Sequence, residues 1–171
     1  MSNVYVISDC HFGHRNILKY RSQFPTIADH DEFIMDNIAM TLRKRDVLWM
    51  LGDCFFTIES LEYLRTINKY CQHVNFVIGN HDTDSGEGRA NIGTMINEGL
   101  VNKIGGVFKA KGHRWLTHCP IHPDELRGNI NIHGHVHSNT INDERYFNAC
   151  CENINYTPIL IRDCVHEEYD E

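Results

Sequence analysis

The chain carries the stretch Val47-Leu48-Trp49-Met50-Leu51-Gly52-Asp53, five apolar residues followed by a glycine and a carboxylate. Two other segments repeat the pattern, because residues 4–11 and 73–82 also contain a largely apolar run that ends in a polar cluster. Short apolar runs bounded by turn residues are typical of buried β-strands. We therefore predict three strands that each deliver polar side chains at their carboxyl ends, over residues 4–7, 47–51 and 73–78.

Amphipathic segments separate these strands. Residues 29–43 place apolar side chains at helical spacing, with Asp29 as the N-cap, and residues 59–70 carry a similar apolar side. Alternation of apolar runs with such helices predicts an α/β fold. Residues 84–93 are rich in glycine and polar residues, which predicts a mobile surface loop before a short helix at 94–98.

The second half of the chain is predicted to be rich in strands. Residues 107–110 and 114–117 flank Lys111-Gly112-His113, which predicts a β-hairpin. Three further strands are predicted at residues 129–133, 145–149 and 157–161. There is no internal repeat.

Size and charge limit what the protein can do. The 171 residues fit one domain, which we place at residues 1–166, followed by a solvated acidic tail at 167–171. The formal net charge of −7 argues against a stable complex with nucleic acid, since non-specific binding needs a basic surface. It does not exclude a nucleotide substrate, because bound divalent cations supply positive charge locally.

The cysteines and the N-terminal segment favour a cytoplasmic protein. Seven cysteines are an odd number and form no CxxC pair, so a disulfide framework is disfavoured. The first residues enter a strand without the features of a signal peptide, and no apolar run is long enough to cross a bilayer. We therefore expect reduced thiols and no membrane partner, in the host cytoplasm if a phage encodes the chain.

Five short motifs carry side chains that can bind metal ions. Each is weak alone: a Gly-Asp pair is more often a turn, an Asx-rich turn is common, and His118 is as readily a core histidine. On an extended backbone, Asp9 and His11 would point to one side. The same holds for His133, His135 and His137. The motifs are Asp9-x-His11, Gly52-Asp53, Gly79-Asn80-His81-Asp82, His118 and Gly134-His135-Val136-His137.

Together the motifs predict a metal centre. They offer carboxylate, amide and imidazole ligands, which suit first-row ions such as Mn²⁺, Fe²⁺ or Zn²⁺. A carboxylate such as that of Asp53 can bridge two ions about 3.5–4 Å apart, the arrangement of two-metal hydrolases. Thiolate ligands are not required.

The ordered set closely resembles the calcineurin-like metallophosphoesterase family, whose pattern is D-x-H, G-D, G-N-H-[DE], H and G-H-x-H. Every element occurs here in that order, from Asp9 to His137. The resemblance implies a four-layer αββα sandwich, in which two mixed β-sheets are flanked by helices. Residues 11–16 resemble a small bacterial and phage branch of the family, in which His14 and Arg15 could face substrate phosphate; a role at a helix start is the alternative.

The resemblance also implies roles for the motif residues. His81 would stabilise the transition state or protonate the leaving oxygen. Two divalent ions would be bound, Mn²⁺ first among them, with Fe, Zn, Ni or Co as alternatives. One ion would be held by Asp9, His11 and His137, the other by Asn80, His118 and His135, with Asp53 bridging them.

We therefore predict a metal-dependent phosphoric ester hydrolase that uses a metal-bridging hydroxide. A chain of this length leaves little room for a cap domain, so an open site is expected, which favours a phosphodiesterase acting on small or nucleotide-type substrates. The alternatives are a phosphomonoesterase or protein phosphatase, a nuclease, and a non-catalytic metal-binding interaction module. The chain is expected to act as a monomer or a small homo-oligomer.

Overall fold

A computed structural model describes residues 2–164 and has an α/β fold with two mixed β-sheets. The first sheet has the order β4-β3-β2-β1-β9, and the second has the order β5-β6-β7-β8. The predicted fold class is confirmed. The strands are β1 (Val4–Ile7), β2 (Val47–Met50), β3 (His73–Val77), β4 (Lys103–Gly105), β5 (Val107–Ala110), β6 (Arg114–Thr117), β7 (Ile130–His133), β8 (Tyr146–Asn148) and β9 (Ile159–Leu160).

Strand direction brings the polar strand ends together. Strands β1 to β4 run parallel, and β9 is antiparallel to β1. In the second sheet β6, β7 and β8 are parallel, while β5 pairs with β6 as the antiparallel hairpin predicted from the sequence. Ligands of open α/β sheets bind beyond the carboxyl ends of parallel strands. Both sheets therefore offer an edge suited to a functional site.

The core has two compartments, one on each face of the first sheet. Alternate residues of β2 point to opposite faces, as the strand period requires. Leu48 and Met50 pack with apolar residues of the helices, whereas Trp49 and Leu51 pack with Leu116 and other residues of the second sheet. The sheets are therefore held face to face by one apolar layer and the helices by another.

Four α-helices occur in the described part of the chain: α1 (Ile27–Thr41), α2 (Leu61–Tyr70), α3 (His81–Asp84) and α4 (Gly86–Asn97). Helix α2 matches its predicted range closely. Helix α1 begins earlier than predicted, and its N-cap is Thr26 rather than Asp29. The Thr26 side chain accepts a hydrogen bond from the Asp29 backbone N–H, so Asp29 lies inside the first turn, where its charge also favours the helix.

The prediction of a mobile loop at residues 84–93 was wrong, because most of this segment forms α4. Ser85 caps the helix by accepting a hydrogen bond from the Gly88 N–H. A side chain at Gly88 would collide with the backbone carbonyls of His81 and Asp82, so glycine is needed for the close approach of α3 and α4. Gly88 therefore serves packing rather than mobility, whereas a side chain at Gly86 or Gly93 would meet open space.

Strand β4 was not predicted from the sequence. Strands β5 and β6 match their predicted ranges, whereas β7, β8 and β9 are shorter than predicted. No α-helix among residues 2–164 combines the length and the apolar character that a membrane span requires. All seven cysteines are free thiols, and only Cys119 among them is exposed. The predicted domain end at residue 166 and the acidic tail at 167–171 lie outside the described residues.

Candidate metal centre

The loops that follow β1, β2, β3, β6 and β7 meet at one place between the two sheets. Nine residues other than glycine have positive φ among residues 2–164, and five of them belong to the predicted ligand set. Such backbone strain costs about 1–3 kcal/mol per residue and tends to cluster at functional sites. The five are Asp9, His11, Asp53, His135 and His137.

These conformations correct two details of the sequence analysis. Asp9 and His11 do not lie on an extended segment; their φ values of 55° and 54° turn both side chains toward the site. His135 and His137 also have positive φ, whereas His133 ends strand β7 and hydrogen-bonds the Gly134 carbonyl through Nδ1. The three imidazoles therefore do not share one strand face, and His133 belongs to neither ligand group.

Glycines let the loops approach closely. A side chain at Gly52 would meet the Gly79 backbone and the His118 ring, each at 2.7 Å from its Cβ. Likewise a side chain at Gly79 would collide with the Asp53 carboxylate, and one at Gly134 with the Asp9 carboxylate. The glycines before the ligand residues are thus required by packing, as the sequence suggested for Gly52.

The first ligand group consists of Asp9, His11 and His137. Asp9 Oδ1 lies 3.7 Å from His11 Nε2 and 3.9 Å from His137 Nε2. Asp9 Oδ1 and His11 Nε2 are buried and have no hydrogen-bond partner within the protein. Donors about 2.0–2.2 Å from a shared ion lie roughly 3–4 Å from one another. The orphaned atoms therefore fit a common cation.

The second ligand group consists of Asn80, His118, His135 and Asp53. One amide atom of Asn80 lies 2.9 Å from His135 Nδ1, 3.0 Å from His118 Nε2 and 3.3 Å from Asp53 Oδ2. His118 Nε2 is also 3.1 Å from Asp53 Oδ2. If the amide oxygen faces inward, four lone-pair donors converge on one point, which a cation would satisfy.

The two groups are contiguous. Ligand atoms of Asp9, Asp53 and His118 all lie within 4.8 Å of one another, so Asp9 of the first group adjoins Asp53 of the second. The other carboxylate oxygen of Asp53 accepts a hydrogen bond from the His81 N–H. The seven residues predicted as ligands are thus brought together, and several groups of them can hold metal ions.

Hydrogen bonds to residues outside the two ligand groups orient two of the imidazole rings. His118 Nδ1 bonds the Leu51 carbonyl at 2.8 Å, and His137 Nδ1 bonds Glu152 Oε1 at 3.0 Å. In both rings the other nitrogen is left for the ligand group, the usual arrangement at metal sites. Asp9 Oδ2 is likewise held, by the Ser8 hydroxyl and the His135 N–H.

Arg21 is a fully buried cation beneath the first group. Its guanidinium donates to the carbonyls of Asp9 and Cys10 and to Glu152 Oε1, the atom that also accepts from His137. Burial alone would raise the pKa of Glu152, but His137 and Arg21 lower it to about 2, so the carboxylate stays charged. Arg21 thus supports ligands from two different loops.

His81 and His14 lie beside the ligand groups rather than in them. The His81 ring is 48% exposed, with Nδ1 3.7 Å from Asp84 Oδ2. His14 Nδ1 is 2.9 Å from His11 Nδ1, and the His14 ring stacks on Phe56 at 4.0 Å. His14 and Arg15 begin a short 3-10 helix, Arg15–Lys19, where Arg15 is exposed. The structure therefore places both at a helix start, while contact of either with phosphate stays a prediction.

Several supporting residues were missed by sequence reasoning. Asp82 was quoted within its motif but given no role; its Oδ2 accepts the N–H groups of Gly79 and Asp53 and so ties two ligand loops together. Burial raises the pKa of Asp82 to about 6, against the lowering effect of those hydrogen bonds. Arg21 and Glu152 gave no signal, because their partners are distant in the sequence. Cys119 could have been noticed beside His118, and its thiol lies near His118 and His135.

His118 and Asp9 are buried, yet the surrounding charges favour the ionised form of each side chain. Burial disfavours the charged form of His118, yet Asp53 and Asp9 raise its pKa to about 9 in the metal-free protein. Burial also works against ionised Asp9, but His11 and the charge of His118 hold the pKa of Asp9 well below its usual range. A protonated His118, whose Nε2 lies 3.1 Å from Asp53 Oδ2, would balance part of the negative charge of these carboxylates when no cation is bound.

We expect this proton to make the metal-free protein less stable in alkali. Because the folded pKa of His118 is about 9 and the unfolded value is 6.5, its stabilising contribution is complete below about pH 6.5 and is lost as the pH rises through 9. The test is the free energy of unfolding in urea at pH 6.5 and 9.5, measured for the chelator-treated wild type and for chelator-treated His118→Gln. A wild-type advantage over His118→Gln that is equal at both pH values would contradict the expectation.

No protein-family model matches the chain. It is 25% identical to the uncharacterized protein MJ1445 of Methanocaldococcus jannaschii, over 94% of this chain and 88% of that protein. It is 27% identical to the gene 66 protein of Mycobacterium phage L5, over 81% of this chain and 79% of that protein. The crystal structure of AQ665 from Aquifex aeolicus, a protein of unknown function, matches with a TM-score of 0.72 and 26% identity over 95% of this chain and 97% of that one. These similarities support the fold along nearly the whole chain, and the activity must be argued from the site.

Proposed function

We propose that the protein is a metal-dependent phosphoester hydrolase of the calcineurin-like type. The observation that carries the proposal is the pair of contiguous ligand groups, with the buried Asp9 Oδ1 and His11 Nε2 left without protein partners. Buried polar atoms are almost always satisfied, and two such atoms facing each other at 3.7 Å suit coordination of one shared cation, which supports the proposal. Asp9, His11 and His137 would hold one divalent ion and Asn80, His118 and His135 the other, with Asp53 between them.

Such ions, when bound, neutralise phosphate and make water a better nucleophile at neutral pH. The chain's own residues supply the rest. The ligand loops hold the donors rigidly, because Asp82 ties the Gly79 and Asp53 backbones together and Arg21 supports the Asp9 loop. His81 carries an exposed imidazole next to the centre, where it can give a proton to the leaving oxygen.

The preferred substrates are phosphodiesters and other small phosphoesters, including nucleotide types. Mn²⁺ is proposed as the ion, since mixed oxygen and imidazole donors suit it. Similarity to a phage protein is in keeping with the small branch of the family that the first motif resembles. Acidic net charge disfavours nucleic acid as a tightly bound substrate.

A substrate panel tests this proposal. Bis(4-nitrophenyl) phosphate and 4-nitrophenyl phosphate should be offered to chelator-treated protein reloaded with Mn²⁺, Fe²⁺, Co²⁺, Ni²⁺ or Zn²⁺. We expect hydrolysis to depend on added metal and to favour the diester. Absence of hydrolysis with every ion, together with tight metal binding, would overturn the proposal and favour a metal-binding interaction module.

Replacing His81 by Ala should lower kcat by about a hundredfold, because a positioned general acid contributes at least that much. Metal content should not change, since the His81 side chain belongs to neither ligand group. Turnover and metal content of His81→Ala should be compared with those of His122→Ala, a variant of another exposed histidine. Equal turnover in the two metal-loaded variants would exclude this role for His81.

A further inference from the structure

A cavity of about 310 Å³ opens beside His81, on the side of Phe56 and the start of α4. Its volume lies at the lower end of the range for small-molecule sites. The rings of His14, Phe56 and His81 line it, together with Asp84 and Glu87. None of the ligand residues lines this cavity, so it adjoins the candidate metal centre without being part of it.

We propose that this cavity receives the leaving group of the substrate, and that it accepts an uncharged or cationic alcohol of at most about nucleoside size. The inference rests on the proposed function, because it uses the role of His81. A general acid must lie within hydrogen-bond reach of the leaving oxygen. Whatever is attached to that oxygen therefore extends past His81, and the cavity that His81 lines is the space available for it.

The chemistry of the cavity wall limits the leaving group. Phe56 offers an aromatic surface, held in place because His14 stacks on it at 4.0 Å with nearly parallel rings. Flat rings such as nucleobases or phenols pack well on such a surface. Beside it, Asp84 and Glu87 add negative charge, and no lysine or arginine is found among the described residues that line the cavity.

This charge pattern separates two substrate classes. A leaving group that carries further phosphates, as in a nucleoside polyphosphate cleaved at an anhydride, would meet the carboxylates of Asp84 and Glu87. The proton-donating His81 would be the only cationic side chain facing it among the described residues that line the cavity. A nucleoside or another neutral alcohol meets no such repulsion. The geometry therefore favours esters of neutral alcohols over pyrophosphates as substrates of this site.

Glu87 allows a direct test, because it lines the cavity from the first turn of α4 and takes no part in metal binding or proton transfer. Aryl methyl phosphates are suitable probes when the phenol carries either a para carboxylate or a para aminomethyl group. The quantity measured is the ratio of kcat/KM for the cationic probe to that for the anionic probe. Comparing each variant with the wild type cancels the intrinsic reactivity of the two phenols.

We expect Glu87→Gln to lower this ratio by roughly fivefold, since a unit charge about 7 Å away in water changes each probe's affinity by roughly two- to threefold in opposite directions. Glu87→Lys should lower it further. The control is Asp36→Lys, the same charge reversal at an exposed position of α1. Manganese affinity, measured by calorimetry, should be the same in all variants.

The outcomes separate the inference from the function on which it rests. If the wild type hydrolyses neither probe with any metal, the proposed function fails. If both are hydrolysed but Glu87→Gln and Glu87→Lys shift the ratio no more than Asp36→Lys does, the leaving group lies elsewhere and the cavity assignment is overturned. If Glu87→Lys does not fold, the comparison of Glu87→Gln with Asp36→Asn gives the same decision.

Discussion

Replacing Asp53 by Asn should abolish the proposed phosphoester hydrolysis and lower the tightly bound metal from the proposed two ions per chain toward one. The amide has nearly the shape of the carboxylate and can still accept the His81 N–H, so the loop should keep its path. What changes is charge, because an amide cannot bridge two cations as a carboxylate can. The loss of turnover should exceed the roughly hundred- to thousandfold cost of removing one neutral donor.

Metal content after gel filtration and turnover at saturating Mn²⁺ measure this prediction. Asp36→Asn is the matched control, because it removes one carboxylate from an exposed position of α1. An Asp53→Asn protein that keeps two ions and hydrolyses substrate at a rate near that of Asp36→Asn would show that Asp53 does not link the two ligand groups.

The strand ends were predictable from the sequence because each apolar run ends abruptly in a polar cluster. Leu51-Gly52-Asp53 illustrates this: Leu51 fills the layer between the sheets, and Gly52 has no room for a side chain. The convergence of strand ends then follows from parallel topology. The ligand set was thus indicated by several weak motifs that one sheet architecture brings together.

The path of the ligand loops was not predictable in the same way. Sequence periodicity describes extended or helical backbone, whereas Asp9, His11 and Asp53 lie in the left-handed region. Tertiary hydrogen bonds hold them there, such as those from the Asp9 N–H to the Gly52 carbonyl and from the His11 N–H to the Asp53 carbonyl. Strain of this kind is compensated by the rest of the fold and leaves no local signal.

For helix α4, a local sequence signal was present but misleading. Its glycines predicted a loop, since glycine lowers helix propensity by about 1 kcal/mol relative to alanine. Gly88 is nevertheless required by the contact with α3, and Asn91 secures the helix through a hydrogen bond to the Phe55 carbonyl. Tertiary contacts therefore outweigh local propensity here, and they also form one wall of the proposed leaving-group cavity.

Arg21 contributes both to the stability of the fold and to the support of the candidate metal centre. Its side chain is inaccessible to solvent, it donates to Glu152 Oε1 at 2.8 Å and to the Asp9 carbonyl at 2.7 Å, and it contacts His30 Nε2 at 2.9 Å. Glu152 is itself only 16% exposed. A buried ion pair adds little net stability compared with apolar residues, but removing one partner leaves an uncompensated charge.

Replacing Arg21 by Met should therefore lower the free energy of unfolding by about 3–5 kcal/mol. It should also weaken metal binding by about 10- to 100-fold at the group of Asp9, His11 and His137, because supporting contacts have effects of that size. Urea unfolding of the metal-free protein and Mn²⁺ titration give the two readouts. Arg127→Met is the control, since Arg127 pairs with Glu125 on the surface, where an ion pair contributes little.

The double variant Arg21→Met/Glu152→Gln distinguishes an unpaired charge from a simple loss of packing. If the unpaired Glu152 carboxylate causes the destabilisation, neutralising it should recover part of the lost free energy of unfolding. The double-mutant cycle should then show a coupling energy of about 1–3 kcal/mol. Gln can still accept the hydrogen bond from His137 Nδ1, so metal affinity should recover in the same direction. If the two substitutions are additive and Arg21→Met binds Mn²⁺ as the wild type does, Arg21 is a packing residue without a link to the ligand group.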